Sequence, residues 1–467
     1  MTTILKERKI NPGGSVKKFN QRFESKILNW REMYDFATKE MEVLNKDNVL
    51  IEVDYSSALD ESLVSKIKTA IELYLKTSKD NQALIVLPEI DGVDISAILM
   101  EQGINDFIII STDNEKSEEE RNLEYISKVS QIAKGVTGET YGKIYEISNP
   151  ENMYENLLHH IENGIVTLNY SAPVQTENFN YAKIVMEHLL PMITDGASKS
   201  WFDANYPDMV HFWNEKYSEA VENMRNAHDL VKEGEQRRVL IECAAQHPLV
   251  EGLYPGEEFS ERLNKTIELY FEKKALGEDV KIYLPGSQHL IYMQENGEKV
   301  LHADKISLSL SGANYLIEHG VSAEDIYSDE INRQIAGDDG VYNTGDETYV
   351  ASEIFKRGKF NDLISVCSPG QLYRALNFFA THGVLPTVYT APTEKSYHNV
   401  INELTGAIPN QLTIAPTWRK GSGFGLDEQI FVNSRNPFDR RNDLIGRIQR
   451  STKYALPEPT ESKQKGE

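Results

Sequence analysis

Two stretches of this 467-residue chain repeat each other, and that repetition limits the fold more than any other feature. Residues 148–173 read SNPENMYENLLHHIENGIVTLNYSAP, and residues 367–392 read CSPGQLYRALNFFATHGVLPTVYTAP. Aligned without gaps they share Pro150/Pro369, Tyr154/Tyr373, Leu157/Leu376, Gly164/Gly383, Tyr170/Tyr389, Ala172/Ala391 and Pro173/Pro392. Upstream the match continues in order: VLIE at 49–52 and 239–242, IELY at 71–74 and 267–270, Leu87-Pro88 and Leu284-Pro285, then EQGI at 101–104 and EHGV at 318–321. An ordered series of this kind implies one folding unit used twice, with longer loops in the second copy.

Each copy alternates short β-rich apolar runs with helical patterns. The first has runs at 49–53, 83–87, 106–110, 143–147 and 165–170, and the second at 238–243, 280–284, 325–328, 362–367 and 386–390. Leu63, Ile67, Ile71 and Leu75 recur at helical spacing, and Leu263, Ile267, Tyr270 and Phe271 repeat that face. Strands with few alternating polar positions, separated by helices, predict parallel sheets covered on both faces. The expected fold is therefore α/β, with two Rossmann-like parallel-sheet domains from an internal duplication. The expected divisions are a helical N-terminal extension (1–45), a degenerate repeat (46–175), a helical connector (176–236), the domain with the site (237–395), and a basic C-terminal appendage with a disordered tail (396–467).

Charge then narrows the partners. Lys and Arg number 49 against 72 Asp and Glu, a formal charge of −23, which repels nucleic-acid phosphates and anionic membranes. No apolar run is long enough to span a bilayer, no leader pattern opens the chain, and two cysteines make no disulfide framework. These features predict a cytoplasmic, reducing-compartment protein with neither nucleic acid nor membrane as partner. The segment 418–453 departs from this balance, with Arg419, Lys420, Arg435, Arg440, Arg441, Arg447, Arg450 and Lys453 outnumbering its acidic residues. It is expected to dock on an acidic surface of the same chain or to fold over the site. The glycine-rich stretch 421–425 within it lacks the strand-then-helix context of a phosphate loop.

Ligands of open parallel sheets bind beyond the carboxyl ends of the strands. In the second half those positions hold Glu242, Cys243, Gln246 and His247, then Gly286, Ser287, Gln288 and His289, then Asp338 and Asp339, then 343–347 (NTGDE), then 367–371 (CSPGQ) with Arg374 beyond. Arg262 and Arg374 suit an anion, because guanidinium forks grip phosphate or carboxylate bidentately. The alternative is that they pair with Glu242 and Glu347. Ser368 could donate to an anion or cap the helix that follows it, capping being the commoner role, and Thr344 with Glu347 has the spacing of a capping box. Buried cysteine is usually inert, so Cys243 and Cys367 are read as packing residues. No ligand spacing around His247, His289, Asp338 and Asp339 supports a metal. His159 and His160 read as a surface pair on a helix of the first half.

Four blocks of the second half resemble the SanA/ElyC/YdcF-like family. Arg262-Leu263 with 267–270 (IELY) is similar to its arginine-bearing helix, although Thr266 stands where the family favours Ala. Ala313 through Gly320-Val321 resembles the block ending in Gly-Val. Asn343-Thr344 with Glu347 resembles its N-T-x-E segment, stretched by one residue. Ser368, Gln371 and Arg374-Ala375 resemble its T-S-x-x-H-x-x-R-A turn, with Cys367 for Thr and Gln371 for His.

The resemblance covers 237–395 and implies a Rossmann-like domain binding a small anionic or nucleotide-like metabolite. The residues it marks are Arg262, Gly286, Ser287, Asn343, Thr344, Glu347, Ser368, Gln371 and Arg374, with no catalytic residue assigned. It implies an enzyme of transferase or hydrolase type in small-molecule or envelope-precursor metabolism; the alternative is a non-catalytic ligand-binding or scaffold protein. Gln371 cannot exchange a proton as a histidine does. A Rossmann-like sheet can take S-adenosylmethionine or a nucleotide, although no glycine fingerprint follows 239–243. In the first half Lys66 stands for Arg262 and Glu155 for Arg374, a charge reversal that marks that copy as a structural partner.

Overall fold

The computed structural model of the chain describes residues 12–56, 61–79, 81–148, 150–171, 184, 209–231, 235–246, 249–287, 290–295, 298–336, 341 and 344–391. The first half runs α1 (Pro12–Met41), β1 (Asn48–Val53), α2 (Glu61–Thr77), β2 (Gln82–Pro88), α3 (Ile95–Glu101), β3 (Phe107–Ile110), α4 (Glu118–Ala133), β4 (Lys143–Ser148), α5 (Pro150–Glu162) and β5 (Leu168–Ser171). After α6 (Met209–Asp229) the second half runs β6 (Arg238–Cys243), α7 (Glu257–Ala275), β7 (Asp279–Tyr283), β8 (Leu290–Glu295), β9 (Glu298–Ala303), α8 (Leu308–Glu318), β10 (Ile326–Tyr327), α9 (Asp329–Ala336), α10 (Thr344–Gly358), β11 (Asp362–Cys367), α11 (Leu372–Thr381) and β12 (Thr387–Thr390).

The two main sheets have five strands each and one topology. Their orders are β3-β2-β1-β4-β5 and β10-β7-β6-β11-β12, with every pairing parallel. The matched sequence segments fall on matched elements: β4-α5-β5 covers the first copy of the repeat and β11-α11-β12 the second. The α/β class and the two parallel sheets therefore agree with the sequence.

The central strands β1 and β6 are buried on both faces, and successive side chains enter different layers. Val49, Ile51 and Val53 pack with Leu63, Ile67 and Ala70 of α2, while Leu50 packs with Tyr125, Ile126 and Val129 of α4. The second sheet repeats this. Val239, Ile241 and Cys243 meet Phe259 and Leu263 of α7, and Leu240 meets Val350, Ile354 and Phe355 of α10. Edge strands β5 and β12 lie alongside each other, so the halves meet there. Lys265 Nζ stands 5.4 Å from the Tyr389 ring centroid, and Glu72 of α2 is among the charges acting on that tyrosine.

The helical extension expected over 1–45 is represented by α1, which packs on α5. The connector expected over 176–236 contributes α6, and α6 belongs to the second half's helical layer. Trp213 is fully buried, Tyr217 Oη donates to Asn377 Oδ1 at 2.8 Å, and Asn223 Nδ2 donates to the Gly383 carbonyl at 2.9 Å. The antiparallel β8-β9 hairpin is absent from the sequence reading. Its signal was available in Asn296-Gly297 between two apolar runs, the pair that suits a two-residue hairpin turn. The appendage 396–467 lies outside the described residues, as do His247, Gln288, His289, Asp338, Asp339 and Asn343.

Ile51 and Ile241 occupy equivalent, fully buried positions. Ile51→Ala and Ile241→Ala are each expected to lower stability by about 2–5 kcal/mol. Chemical denaturation should show losses of that size for both; a loss below about 1 kcal/mol for either would contradict its place in the core.

Candidate functional site

In each sheet the chain leaves the central strand toward one edge and later returns on its other side. Loops following β6 and β11 therefore diverge, and a crevice opens beyond their carboxyl ends. Ala244, Ala245 and Gln246 form one side. Ser368 and the 3-10 turn Pro369–Gln371, which leads into α11, form the other.

Arg262 of α7 runs beneath this crevice and is fully buried. Its Nε donates to Ser368 Oγ at 3.1 Å. One terminal nitrogen, Nη1, donates to the carbonyls of Ala244 at 2.9 Å and Ala245 at 3.0 Å, and the other, Nη2, to Gln246 Oε1 at 3.1 Å and again to Ser368 Oγ. Five N–H groups thus meet protein acceptors, the full capacity of a guanidinium. Ser368 Oγ in turn donates to Glu258 Oε1 at 3.3 Å, and Gln371 Nε2 approaches Gln246 Oε1 at 3.4 Å. Arg262 therefore pins the β6 loop to the β11 loop, and neither the expected ligand anion nor the alternative direct pairing with Glu242 or Glu347 describes its hydrogen bonds. Ser368 likewise makes no capping bond; its hydroxyl belongs to the clamp. Sequence reasoning missed Glu258 and the two alanine carbonyls. Glu258 had a readable signal, lying one turn before Arg262 on the same helix face.

Other expected site residues divide by role. Gly286 is buried with φ +101, and an added Cβ would come within 2.8 Å of the Leu308 Cβ and 3.0 Å of the Ala245 Cβ, so it is required for backbone conformation and packing. Ser287 ties two loops together: its N–H donates to the Val341 carbonyl at 3.0 Å, and its Oγ accepts from Val341 N at 2.8 Å. Thr344 is the first residue of α10 rather than the residue before it, and its carbonyl accepts from Thr348 Oγ1 at 2.8 Å. Glu347 is half-buried and its charge reaches Tyr283 and Cys243. Gln371 and Arg374 stand half-buried at the β11 side, with Arg374 within electrostatic reach of Cys367.

Beneath them Glu242 is fully buried. Burial pushes its carboxyl up to about 7, against the opposing effects of the Ser365 hydroxyl that hydrogen-bonds it and the nearby Arg262 charge. Burial also pushes the Cys243 and Cys367 thiols up to about 12, which suits packing residues and not nucleophiles. No group of three or more metal-ligating side chains occurs among the described residues.

The equivalent crevice of the first half is occupied differently. Lys66, in the Arg262 position, makes a buried ion pair with Asp54, and Asn152 Nδ2 lies 3.5 Å from Asp54 Oδ2. A short ammonium–carboxylate pair takes the place of the five-armed clamp. His160 corrects the sequence reading: it has no exposed surface and lies against Glu52 inside the domain, because α5 turns that face onto the sheet.

The fold and this crevice define an α/β protein with two Rossmann-like sheets. No family model matches the chain, and no curated protein matches it. Among solved structures, a UGT transferase from Siraitia grosvenorii in complex with UDP aligns at 8% identity and a TM-score of 0.23, covering 86% of this chain and 100% of its own. A Listeria monocytogenes protein assigned as a UDP-N-acetylglucosamine 2-epimerase aligns at 9% identity and a TM-score of 0.19, covering 89% and 99%. Likenesses at these scores carry no argument about function. Among the described residues no helix is long and apolar enough to cross a membrane.

Removing the clamp leaves buried acceptors stranded, at about 1–3 kcal/mol each. Arg262→Met is therefore expected to destabilise the protein strongly in urea unfolding, and Arg262→Lys to recover only part of the loss because an ammonium lacks the planar fork. Equal stability of Arg262→Met and wild type would remove the clamp from the account. With both thiols buried and protonated, a small thiol reagent should modify neither cysteine in the native protein and both after denaturation; fast native labelling would contradict this.

Proposed function

We propose that the second half binds a small anionic or nucleotide-like metabolite in the crevice between β6 and β11, acting as a SanA/ElyC/YdcF-like protein. The supporting observation is the clamp. Arg262 holds two diverging loops at fixed separation, and Gln246, Gln371 and Arg374 stand half-buried beside it with hydrogen-bonding and positive groups. Preorganised loops lower the ordering cost of binding. In this reading Arg374 meets the anion, while Arg262, Gly286, Ser287 and Ser368 shape the site without touching it. Thr344 and Glu347 stand in the first turn of α10.

The two halves, on this proposal, descend from one duplicated unit, and only the second retained the site. Shared strand order and the ordered sequence matches support the common origin. The Lys66–Asp54 pair and Glu155 at the Arg374 position support loss of anion binding in the first. Binding without covalent cysteine chemistry is favoured by the two thiols held protonated.

Thermal shift of wild type and Arg374→Glu against nucleoside phosphates, adenosyl compounds and carboxylates tests this. A ligand at one hundred times its Kd is expected to stabilise wild type by about 2.7 kcal/mol, with the effect lost in the variant. If no member of the panel stabilises wild type more than Arg374→Glu, the anion site is wrong. Turnover of a stabilising compound would make the protein an enzyme, and its absence a binder.

A further inference from the structure

The first half contains a buried ionisable cluster that the crevice does not use. Glu52 of β1 and Glu146 of β4 are register partners, and His160 of α5 lies over them with Nε2 3.0 Å from Glu52 Oε2. None of the three has exposed surface. Thr167 Oγ1 donates to Glu146 Oε2 at 2.7 Å, and Asn156 Nδ2 donates to Glu146 Oε1 at 3.1 Å. Asn156 Oδ1 in turn accepts from Asn122 of α4 at 3.2 Å.

We propose that Glu52, Glu146 and His160 form a buried proton-holding switch that loosens the first sheet as pH rises from mildly acidic to neutral. Charge balance carries the argument. Two carboxyl groups and one imidazole, all removed from water, reach neutrality only with two protons among them. One proton on His160 and one on Glu146 meet that requirement. Between about pH 5 and about pH 7 a glutamate of the unfolded chain has already lost its proton.

Two described cations of adjoining elements have other partners. Lys66 of α2 is committed to Asp54 at the end of β1. Tyr125 of α4 donates its hydroxyl to the Val53 carbonyl at 2.7 Å and stays protonated, held well above its ordinary value by burial and by Glu52, Asp54 and Glu146. Arg121, one turn earlier, lies 5.7 Å from the Tyr55 ring. Burial and the Glu52 charge hold the Glu146 carboxyl well above the ordinary carboxylate range, against the opposing pull of His160. Burial alone would lower the His160 imidazole, but Glu52 and then Glu146 hold it above its ordinary value. Both folded values are raised, so the stability they confer is complete below the unfolded values and is lost as pH rises through the folded ones.

The second half shows the same position without the device. Ser365 stands opposite Glu242 where Glu146 stands opposite Glu52, and the repeat alignment puts Phe379 in the His160 position. The double variant Glu146→Ser/His160→Phe therefore copies an arrangement this fold already uses.

Hydrogen exchange of β1, β4 and α5 amides in the full chain, corrected for the intrinsic pH dependence, reads the opening constant between about pH 5 and about pH 7, the interval between the ordinary carboxyl value and the raised Glu146 one. Each extra proton held by the native form raises that constant up to about tenfold per pH unit. Wild type is expected to open increasingly over this range, and the double variant to show a slope smaller by about one proton or more. Equal slopes overturn the proposal. Should the double variant fail to fold, infrared difference spectra of a Glu242→Gln protein over the same range decide. Loss of a protonated-carboxyl band on alkalinisation, suppressed by further Glu146→Gln, supports the switch; absence of the band overturns it.

Discussion

A carboxyl group at the centre of a sheet covered on both faces must be satisfied from within the protein, and much of this structure answers that demand. Glu52 and Glu242 occupy the same position in the central strands of the two sheets, and both are buried. The second half solves the problem with Ser365 opposite Glu242 and the Arg262 charge nearby. In the first, His160 lies at ion-pair distance from Glu52, next to a second carboxyl, Glu146, held by Thr167 and Asn156. One equivalent polar position thus lies in two different polar interiors.

That divergence reaches the crevices. Arg262 spends its hydrogen bonds on two loop carbonyls, Gln246 and Ser368, and so fixes the mouth of the second site while remaining below it. Lys66 carries the same charge but not the same geometry; it forms one pair with Asp54 and cannot tie two loops together. The asymmetry proposed for ligand binding and the asymmetry in the buried interior thus lie close together, at adjoining ends of the same strands.

The repeat made the strand pattern legible, because apolar runs at matched places gave both the periodicity and the order of elements. Arg262 and Ser368 were marked as important, yet their roles were misassigned. Sequence shows that an arginine is present on a helix; it does not show that two backbone carbonyls converge on it from a loop elsewhere in the chain. His160 failed for a related reason. A pair of adjacent histidines points in two directions on a helix, and which one meets the sheet depends on how α5 lies across it. The β8-β9 hairpin was missed for want of attention to one Asn-Gly pair, not for want of a signal.

By itself the sequence determined the class of fold and the acidic character, since these follow from periodicity and composition along the chain. Tertiary structure alone decided which polar residues face each other. Glu52 meets Glu146 and His160, and Arg262 meets Ala244, Ala245, Gln246 and Ser368, because strand order brings β1 beside β4 and β6 beside β11. Segments far apart in sequence must close together before a charge finds its partner, and no local pattern encodes that meeting.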